Sequence, residues 1–429
     1  MTINRRGLLI SGGAGIGLVV AWGLWPRTYA PNLVANPGET PFGAWLKIGD
    51  DGHVTVAVPQ LEHGQGVYTT LPQIVADELG ADWRTVGVEP APLNPLYANP
   101  VGLHDLFEGL FDRLPEGTPQ PPMLTGGSSS IRMFEQACRA AGAGARALLC
   151  MAAAKRWDAD WTEVTVEAGF CTHAGKRIRF AELAEAAATF TLPDPLPLGI
   201  QGAGKLAGTS VPRIDTAAKV DGSANFAGDV RLADMVHAAI RQGPVGGRLT
   251  KVDRAAADRI RGVLSVVENP RWVAAVATTW WAAHKALDAL APRFENAAPL
   301  PDTRSIDAAL DAALARPGTQ MASVGDVAAT FQGAKLVTAT YRAGLGLHAG
   351  IETRSATASF SNGRLELWLA TQAPGLARTA AARAAGLGED SVVVHPMLIG
   401  GSFGAALEPD IAEQAAILAL KLRRPVSLV

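Results

Sequence analysis

Side-chain amides beside glycine turns, small residues that open helices, and nearby carboxylates are the residues of this chain best suited to chemistry. Ala370-Thr371-Gln372-Ala373-Pro374-Gly375 closes an alternating apolar run, and Ile399-Gly400-Gly401-Ser402-Phe403-Gly404 follows after a small-residue helix and a short strand. Glycine in such turns lets the main chain come close to a bulky ligand and expose its N–H groups. Glu62-His63-Gly64-Gln65-Gly66 precedes an apolar-periodic helix expected from about Leu71 to Leu79, with Thr69 or Thr70 as its cap. A Gly-Gln-Gly turn there offers an anion amide donors, a positive dipole end and one side-chain amide. Thr125-Gly126-Gly127-Ser128-Ser129-Ser130 makes the same offer ahead of a long helix expected over Ile131 to Trp157, with a plain serine N-cap as the competing explanation. Taken singly, each turn is ambiguous, because Gly-x-Gly is common.

Other chemistries are narrowed by composition. Cys138, Cys150 and Cys171 form no C-x-x-C pair, so these residues offer no iron–sulfur ligand set and no c-type haem attachment. Cys138 and Cys150 lie in an alanine-rich helical run and read as small buried hydrophobes. A net charge of −2 gives no case for a nucleic-acid surface. At 429 residues there is room for two or three domains, each with its own core.

The elements that must position these turns are mixed. Trp45 to Ile48 and Val54 to Val58 alternate about Gly49-Asp50-Asp51-Gly52, a hairpin signal, and Val164 to Phe170 with Lys176 to Arg179 suggest a second. Asp105 to Pro122 reads as a long loop, and the prolines and glycines of Leu192 to Val211 mark a boundary. Beyond it, strands at Val236 to Ile240, Val263 to Val267 and Val273 to Ala277 alternate with helices at Val252 to Ile260 and Thr279 to Leu290, a compact α/β module. Trp280 and Trp281 read there as core or interface. A strand is expected at Leu336 to Tyr341, and a hairpin pairs Ala356 to Phe360 with Leu365 to Leu369 about Ser361-Asn362-Gly363. A helix over Glu408 to Leu422 then leads into a strand within Arg423 to Val429, whose exposed edge would favour association.

At the N-terminus, Asn4-Arg5-Arg6-Gly7-Leu8-Leu9 precedes an uncharged run from Ile10 to Trp25, resembling a twin-arginine export signal. An ordinary membrane anchor or another signal type is the alternative. Thr28-Tyr29-Ala30 fits a cleavage site weakly, so a periplasmic protein that keeps the segment as an anchor is expected.

Together the motifs carry more than each alone. Glu62 to Gly66, Thr125 to Ser128, His348 to Ala358, Thr371-Gln372-Ala373-Pro374 and Gly400 to Gly404 resemble those of the molybdenum hydroxylases of the xanthine oxidase family. Pro212 to Asp215, Lys219 to Phe226 and Asp229-Val230 look like the entrance of that family's hammerhead domain. The order of motifs resembles that in the large subunits of isoquinoline 1-oxidoreductases and periplasmic aldehyde dehydrogenases. The implied fold is a multidomain α+β and α/β chain, with molybdopterin-binding elements flanking a hammerhead α/β domain. Its expected parts are an export signal or anchor at 1–30, a Gly-Gln-Gly-containing molybdopterin-binding region at 31–205, the hammerhead domain at 206–300, and a first molybdopterin-binding domain, incomplete at its C-terminus, at 301–429.

The resemblance further implies a molybdopterin cofactor, in bacteria the cytosine dinucleotide form, carrying Mo with no metal ligand from the protein. The implied reaction hydroxylates an aldehyde or N-heteroaromatic carbon with oxygen from water. Electrons leave to a small [2Fe-2S] subunit and, in some relatives, a c-type cytochrome subunit. By the same resemblance Gln372 hydrogen-bonds the metal's apical oxo group and Phe403 packs beside the metal. Gly400, Gly401, Ser402 and Gly404 line the pterin, while Gly64, Gln65, Gly66, Gly126, Gly127 and Ser128 bind the pterin and its pyrophosphate. Glu352 is expected to make structural hydrogen bonds rather than move protons.

The pattern is departed from in places. Ser402 stands for the third glycine of Gly-Gly-Gly-Phe-Gly, Ala405-Ala406 for a frequent basic pair, and His348 to Thr353 lacks two prolines. A side chain at Ser402 is expected to loosen the cofactor's approach. In the family the base is the Glu of a Gly-x-Gly-Glu that ends a second cofactor-binding domain, and no such stretch follows Gly400 to Gly404 in this sequence; the Gly-Leu-Gly-Glu of Gly386 to Glu389 precedes that turn. The expectation is therefore a truncated chain or half of a split enzyme, with a second chain supplying that Glu. A non-catalytic remnant is the alternative, and outside the family, a periplasmic small-ligand-binding protein.

Overall fold

The computed structural model describes residues 29–102, 123–199, 206–318 and 324–429. The twin-arginine motif with its apolar run and the loop at 105–122 lie outside the described residues. Two compact units emerge, one combining Met1–His237 with Ala349–Val429, the other Ala238–His348.

The first unit opens with a four-stranded sheet in the order β1 (Glu39–Phe42), β2 (Leu46–Gly49), β3 (Val54–Val58), β4 (Val86–Pro90). Strict alternation makes the β2–β3 hairpin, with Leu46 opposite Val56 and Ile48 opposite Val54, all on the buried face. Lys47, on the other face, is also buried and forms ion pairs of 2.8 Å with Glu39 and 2.9 Å with Glu89. Strands β3 and β4 are parallel, so their connection must cross over, and α1 (Val67–Leu79) lies in it. The helix begins at Val67, four residues earlier than expected, so Thr69 and Thr70 are inside it and do not cap it.

Helix α2 (Ser130–Trp157) packs its Phe134, Cys138 and Leu149 into one core with Leu71, Val75 and Leu79 of α1. The crossing is close at Gly142, where a Cβ would meet the Val75 carbonyl oxygen at 2.5 Å. Between the helices Glu78 is buried and held by Arg139 at 3.1 Å and by Arg146. The expected second hairpin is a three-stranded sheet, β5 (Thr165–Glu167), β6 (Phe170–His173) and β7 (Lys176–Arg179). Ala168 and Gly169, at φ 47° and 81°, turn the chain inside the stretch expected as one strand. Two consecutive left-handed residues make a tight hairpin turn. Helix α3 (Thr216–Asp221) follows.

The second unit orders β10 (Val263–Asn269), β11 (Trp272–Ala277) and β8 (Val236–Gln242) side by side and pairs β12 (Arg293–Glu295) with β9 (Arg248–Lys251). Strand β11 is buried throughout and packs with Ala283, Ala286 and Leu287 of α5 (Trp280–Ala289), capped by Thr279. The helix expected over Val252 to Ile260 is only α4 (Arg254–Asp258), capped by Asp253. Trp280 and Trp281 are not core. They are 41% and 59% exposed, and Trp280 stacks on His284 one turn away. Helices α6 (Thr303–Leu314) and α7 (Val327–Phe331) follow. The strand expected at Leu336 to Tyr341 does not form, and Val337 and Tyr341 are exposed. Strand propensity is realised only against a partner, and among the described residues none pairs with this segment.

The chain then completes the first unit. Strands β13 (Ala356–Ser361) and β14 (Arg364–Leu369) form a hairpin about Asn362 and Gly363, at φ 50° and 76°, a turn these residue types favour. Helix α8 (Pro374–Ala385) crosses over to β15 (Val392–Pro396), parallel to β14. Helix α9 (Asp410–Leu422) leads to β16 (Val426–Leu428). The strand is buried and pairs with β13, while the Val236 N–H donates to the Pro425 carbonyl just before it. The exposed edge expected there is therefore absent. Among the described residues the fold is mixed helix and sheet with no barrel.

Candidate functional site

The motifs that lie far apart in sequence meet in the first unit. Leu61, Ala227, Ala370, Ile399 and Ala406, drawn from four separate stretches of the chain, form a small shared core. Around it, hydrogen bonds join the segments that a ligand would need together.

Gln372 lies in the turn that leaves β14, just before Pro374 begins α8. Its backbone N–H donates to the Ala406 carbonyl at 2.9 Å, and its carbonyl accepts from the Thr125 N–H at 2.8 Å. The side chain is buried, with Nε2 donating to the Thr125 carbonyl at 2.8 Å and Oε1 accepting from the Ser402 hydroxyl. Thr125 Oγ1 in turn accepts from the Leu61 N–H at 2.8 Å, tying in the strand end that carries the Gly-Gln-Gly turn. Ser130 Oγ donates to Gln60 Oε1 at 2.8 Å in the same seam.

The Gly400–Gly404 turn divides into two parts. Gly400 faces inward, donating its N–H to Glu352 Oε2 at 2.7 Å and accepting from the Glu352 N–H at 3.2 Å. A Cβ on Gly400 would meet the Glu352 Cβ at 2.9 Å, so this glycine makes room for a neighbour. Gly401, Phe403 and Gly404 have φ of 99°, 53° and 98°, and Phe403 is 70% exposed. A bulky residue at positive φ is strained, and such residues concentrate at ligand clamps. Ser402 points the other way and is buried, so its side chain does not intrude on the exposed side of the turn as expected. Glu352 also accepts from the Gly228 N–H at 3.4 Å. Burial raises its pKa above the ordinary carboxylate range despite both amide hydrogen bonds.

The Gly-Gln-Gly loop has its own anion. The buried Glu62 carboxylate accepts from the N–H groups of Gly64 at 2.8 Å, Gly66 at 3.1 Å and Tyr68 at 3.0 Å, and Arg213 approaches it at 3.2 Å. Gln65 folds back on the loop, donating to the Leu61 carbonyl at 2.7 Å and accepting from the His63 N–H at 2.9 Å. The donors expected to meet a pyrophosphate here are engaged by Glu62, which takes the place of a helix cap. An acidic residue two and four positions before the glycines of the loop was the available signal. Arg213 is fixed by Asp215 at 2.9 Å, and Lys219 of α3 reaches the same carboxylate at 2.5 Å.

The start of α2 differs. Ser129 turns its hydroxyl back to the Gly126 carbonyl at 2.6 Å and gives the helix no side-chain cap. Gly127 and Ser128 are left-handed, at φ 61° and 50°. Among the described residues nothing accepts from the N–H groups of Gly126, Gly127 or Ser128, directly beside Thr125 and hence Gln372. No group of His, Cys, Asp and Glu among the described residues could hold a metal ion.

Two family models, each described as a molybdopterin cofactor-binding domain, match residues 314–429 and 7–93. The beta chain of isoquinoline 1-oxidoreductase from Brevundimonas diminuta is 27% identical over 482 residues, covering all of this chain and 59% of that protein. These matches support membership of the molybdenum hydroxylase family. The membrane-bound aldehyde dehydrogenase [pyrroloquinoline-quinone] of Gluconacetobacter polyoxogenes is 26% identical over 451 residues, all of this chain and 55% of that one. The chain thus spans somewhat over half the length of these curated relatives. Among solved structures of this family, quinoline 2-oxidoreductase from Pseudomonas putida 86 overlaps 52% of this chain and 34% of its own, at 24% identity and a TM-score of 0.41.

Proposed function

We propose that these residues form the molybdopterin-binding part of an oxidoreductase that hydroxylates an aldehyde or N-heteroaromatic carbon with oxygen from water. The observation that carries this is Gln372, a buried amide anchored at both heavy atoms, with a second Nε2 proton that no described residue accepts. Bound molybdopterin supplies the metal at which oxygen reaches the substrate carbon and two electrons are taken up. Gln372 offers its spare N–H to that group, and the Gly126, Gly127 and Ser128 amides suit its phosphates, in the cytosine dinucleotide form as in the plain one. Gly401, Phe403 and Gly404 supply the outward backbone beside it. The Gly64 and Gly66 amides do not fit a phosphate while Glu62 holds them.

Glu389 of the Gly-Leu-Gly-Glu at 386–389 is held by Arg378 at 2.8 Å and lies past the far end of the helix that Gln372 precedes, so the general base is sought elsewhere, in the same polypeptide or a second one. Electron transfer to a [2Fe-2S] subunit, export by the twin-arginine route and a hammerhead domain at 206–300 belong to the same reading. Two of the relatives, the Brevundimonas protein and a nicotinate dehydrogenase of Pseudomonas putida, are named as individual subunits, which supports an assembly of several chains.

The test is purification of the gene's full product with its genomic neighbours, followed by molybdenum and pterin determination and turnover in ¹⁸O-labelled water. One Mo per chain and labelled product are expected. A folded protein without Mo would sink the reading, and one loaded with pyrroloquinoline quinone would favour the cofactor in the second relative's name. Export is checked separately: replacing both Arg5 and Arg6 by Lys should retain the protein in the cytoplasm.

A further inference from the structure

We infer that Ser402 is a positioning residue that sets the orientation of the Gln372 amide. The inference rests on the molybdopterin reading above for its purpose, but its geometry stands apart from it. The Thr125 carbonyl can only accept, so the atom 2.8 Å from it must be the amide nitrogen of Gln372. Oε1 then faces Ser402, and as it too can only accept, the Ser402 hydroxyl must donate. The hydroxyl's own lone pair takes the Ala406 N–H at 3.1 Å. The order of donors is thus fixed from Ala406 through Ser402 to Gln372 and on to Thr125.

Gln372 and Ser402 are only 4% and 2% exposed, so water does not compete for these bonds. The chain of bonds leaves one Gln372 N–H proton uncommitted and holds its direction from both ends of the amide. A glycine at 402 would leave Oε1 and the Ala406 N–H without partners, and the amide would be anchored at Thr125 alone. The departure from Gly-Gly-Gly-Phe-Gly is therefore not a side chain in the way of the ligand. It is the second anchor of the residue that meets it.

The experiment compares S402A, S402G and the hydroxyl-retaining S402T with the wild type in the full protein with its partner subunits. Before loading, hydrogen exchange at the Ala406 amide should rise about tenfold in S402A and S402G, in line with loss of one buried hydrogen bond, and stay near wild type in S402T. After loading, S402A should keep its Mo content, lose about tenfold in kcat with KM little changed, and show altered Mo(V) resonance parameters, with S402T restoring both. Unchanged exchange in S402A overturns the network. Changed exchange with unchanged resonance parameters and kcat overturns the positioning role. Loss of Mo in S402A, with the kcat per bound Mo intact, shows a structural role and overturns it equally. A wild type that binds no molybdopterin fails instead on the proposed function, whatever the exchange shows.

Discussion

Asp215 illustrates how a carboxylate outside the ligand's reach supports the site. Burial alone would raise its pKa, yet hydrogen bonds and charge from Arg213 and Lys219 outweigh this and hold it below the ordinary value of 3.8. A depressed folded pKa means that the unfolded chain binds the proton more readily, so Asp215 contributes stability above pH 3.8 that is lost as pH falls through its folded value. Its partners are 38% and 26% exposed, which screens the pairs and puts the expected loss in D215N at about 1 kcal/mol near neutral pH. In denaturant titrations the gap between wild type and D215N should close on the acid side. A gap independent of pH would mean that the charge of Asp215 contributes nothing. Glu352 has the opposite slope: its raised pKa makes its share of stability fall as pH rises above 4.5.

At the scale of elements, the start of α1 and its crossing with α2 are the places where one residue decides the geometry. Glu62 serves three helix-start amides and Arg213, so E62Q should cost about 1.5–3 kcal/mol, the range for hydrogen bonds to a charged group. It should also speed hydrogen exchange at Gly64 and Gly66. Native-like exchange there would show that the loop holds itself. At the crossing, G142A drives a Cβ to 2.5 Å from the Val75 carbonyl oxygen and 2.9 Å from the Glu78 Cβ. Overpacking of this kind costs about 1–3 kcal/mol. Gly388 has open space around it, so G388A is the control and should stay within about 0.5 kcal/mol of wild type in the same melt. Equal effects would locate the cost of G142A in backbone freedom rather than in helix packing.

For the molecule as a whole, cofactor binding should be visible as stability. Ligand that binds only the folded state at a hundred times its Kd adds about 2.7 kcal/mol. Loaded protein should therefore unfold later than protein from a host deficient in molybdopterin synthesis. Because the proposed contacts lie in the unit of Met1–His237 and Ala349–Val429, hydrogen exchange should slow around Gly126–Ser128 and Gln372 and change little across Ala238–His348. Protection spread evenly over both units would place the cofactor elsewhere.

Local pattern was legible without coordinates wherever neighbours in sequence settle the conformation. Alternation with Asn362-Gly363 specified one hairpin, alternation about Gly49–Gly52 another, and periodicity specified α2 and α9 within two residues of their ends. The glycine turns could also be seen, and with them the resemblance to the family. Which turn amides are engaged internally was decided by tertiary contacts. Glu62 with Arg213, Glu352 with Gly228 and Gly400, and Ser402 with Gln372 join residues from 30 to 151 positions apart, except where Glu62 folds onto its own loop. Propensity is a short-range property and cannot say which donors a distant carboxylate or hydroxyl will claim. For the same reason Leu336 to Tyr341 has strand composition without a strand, and Trp280 and Trp281 face solvent. Sequence alone marked the turns; folding decided that the N–H groups of Gly64 and Gly66 are claimed by Glu62 while Gln372 and the start of α2 keep donors that no described residue accepts.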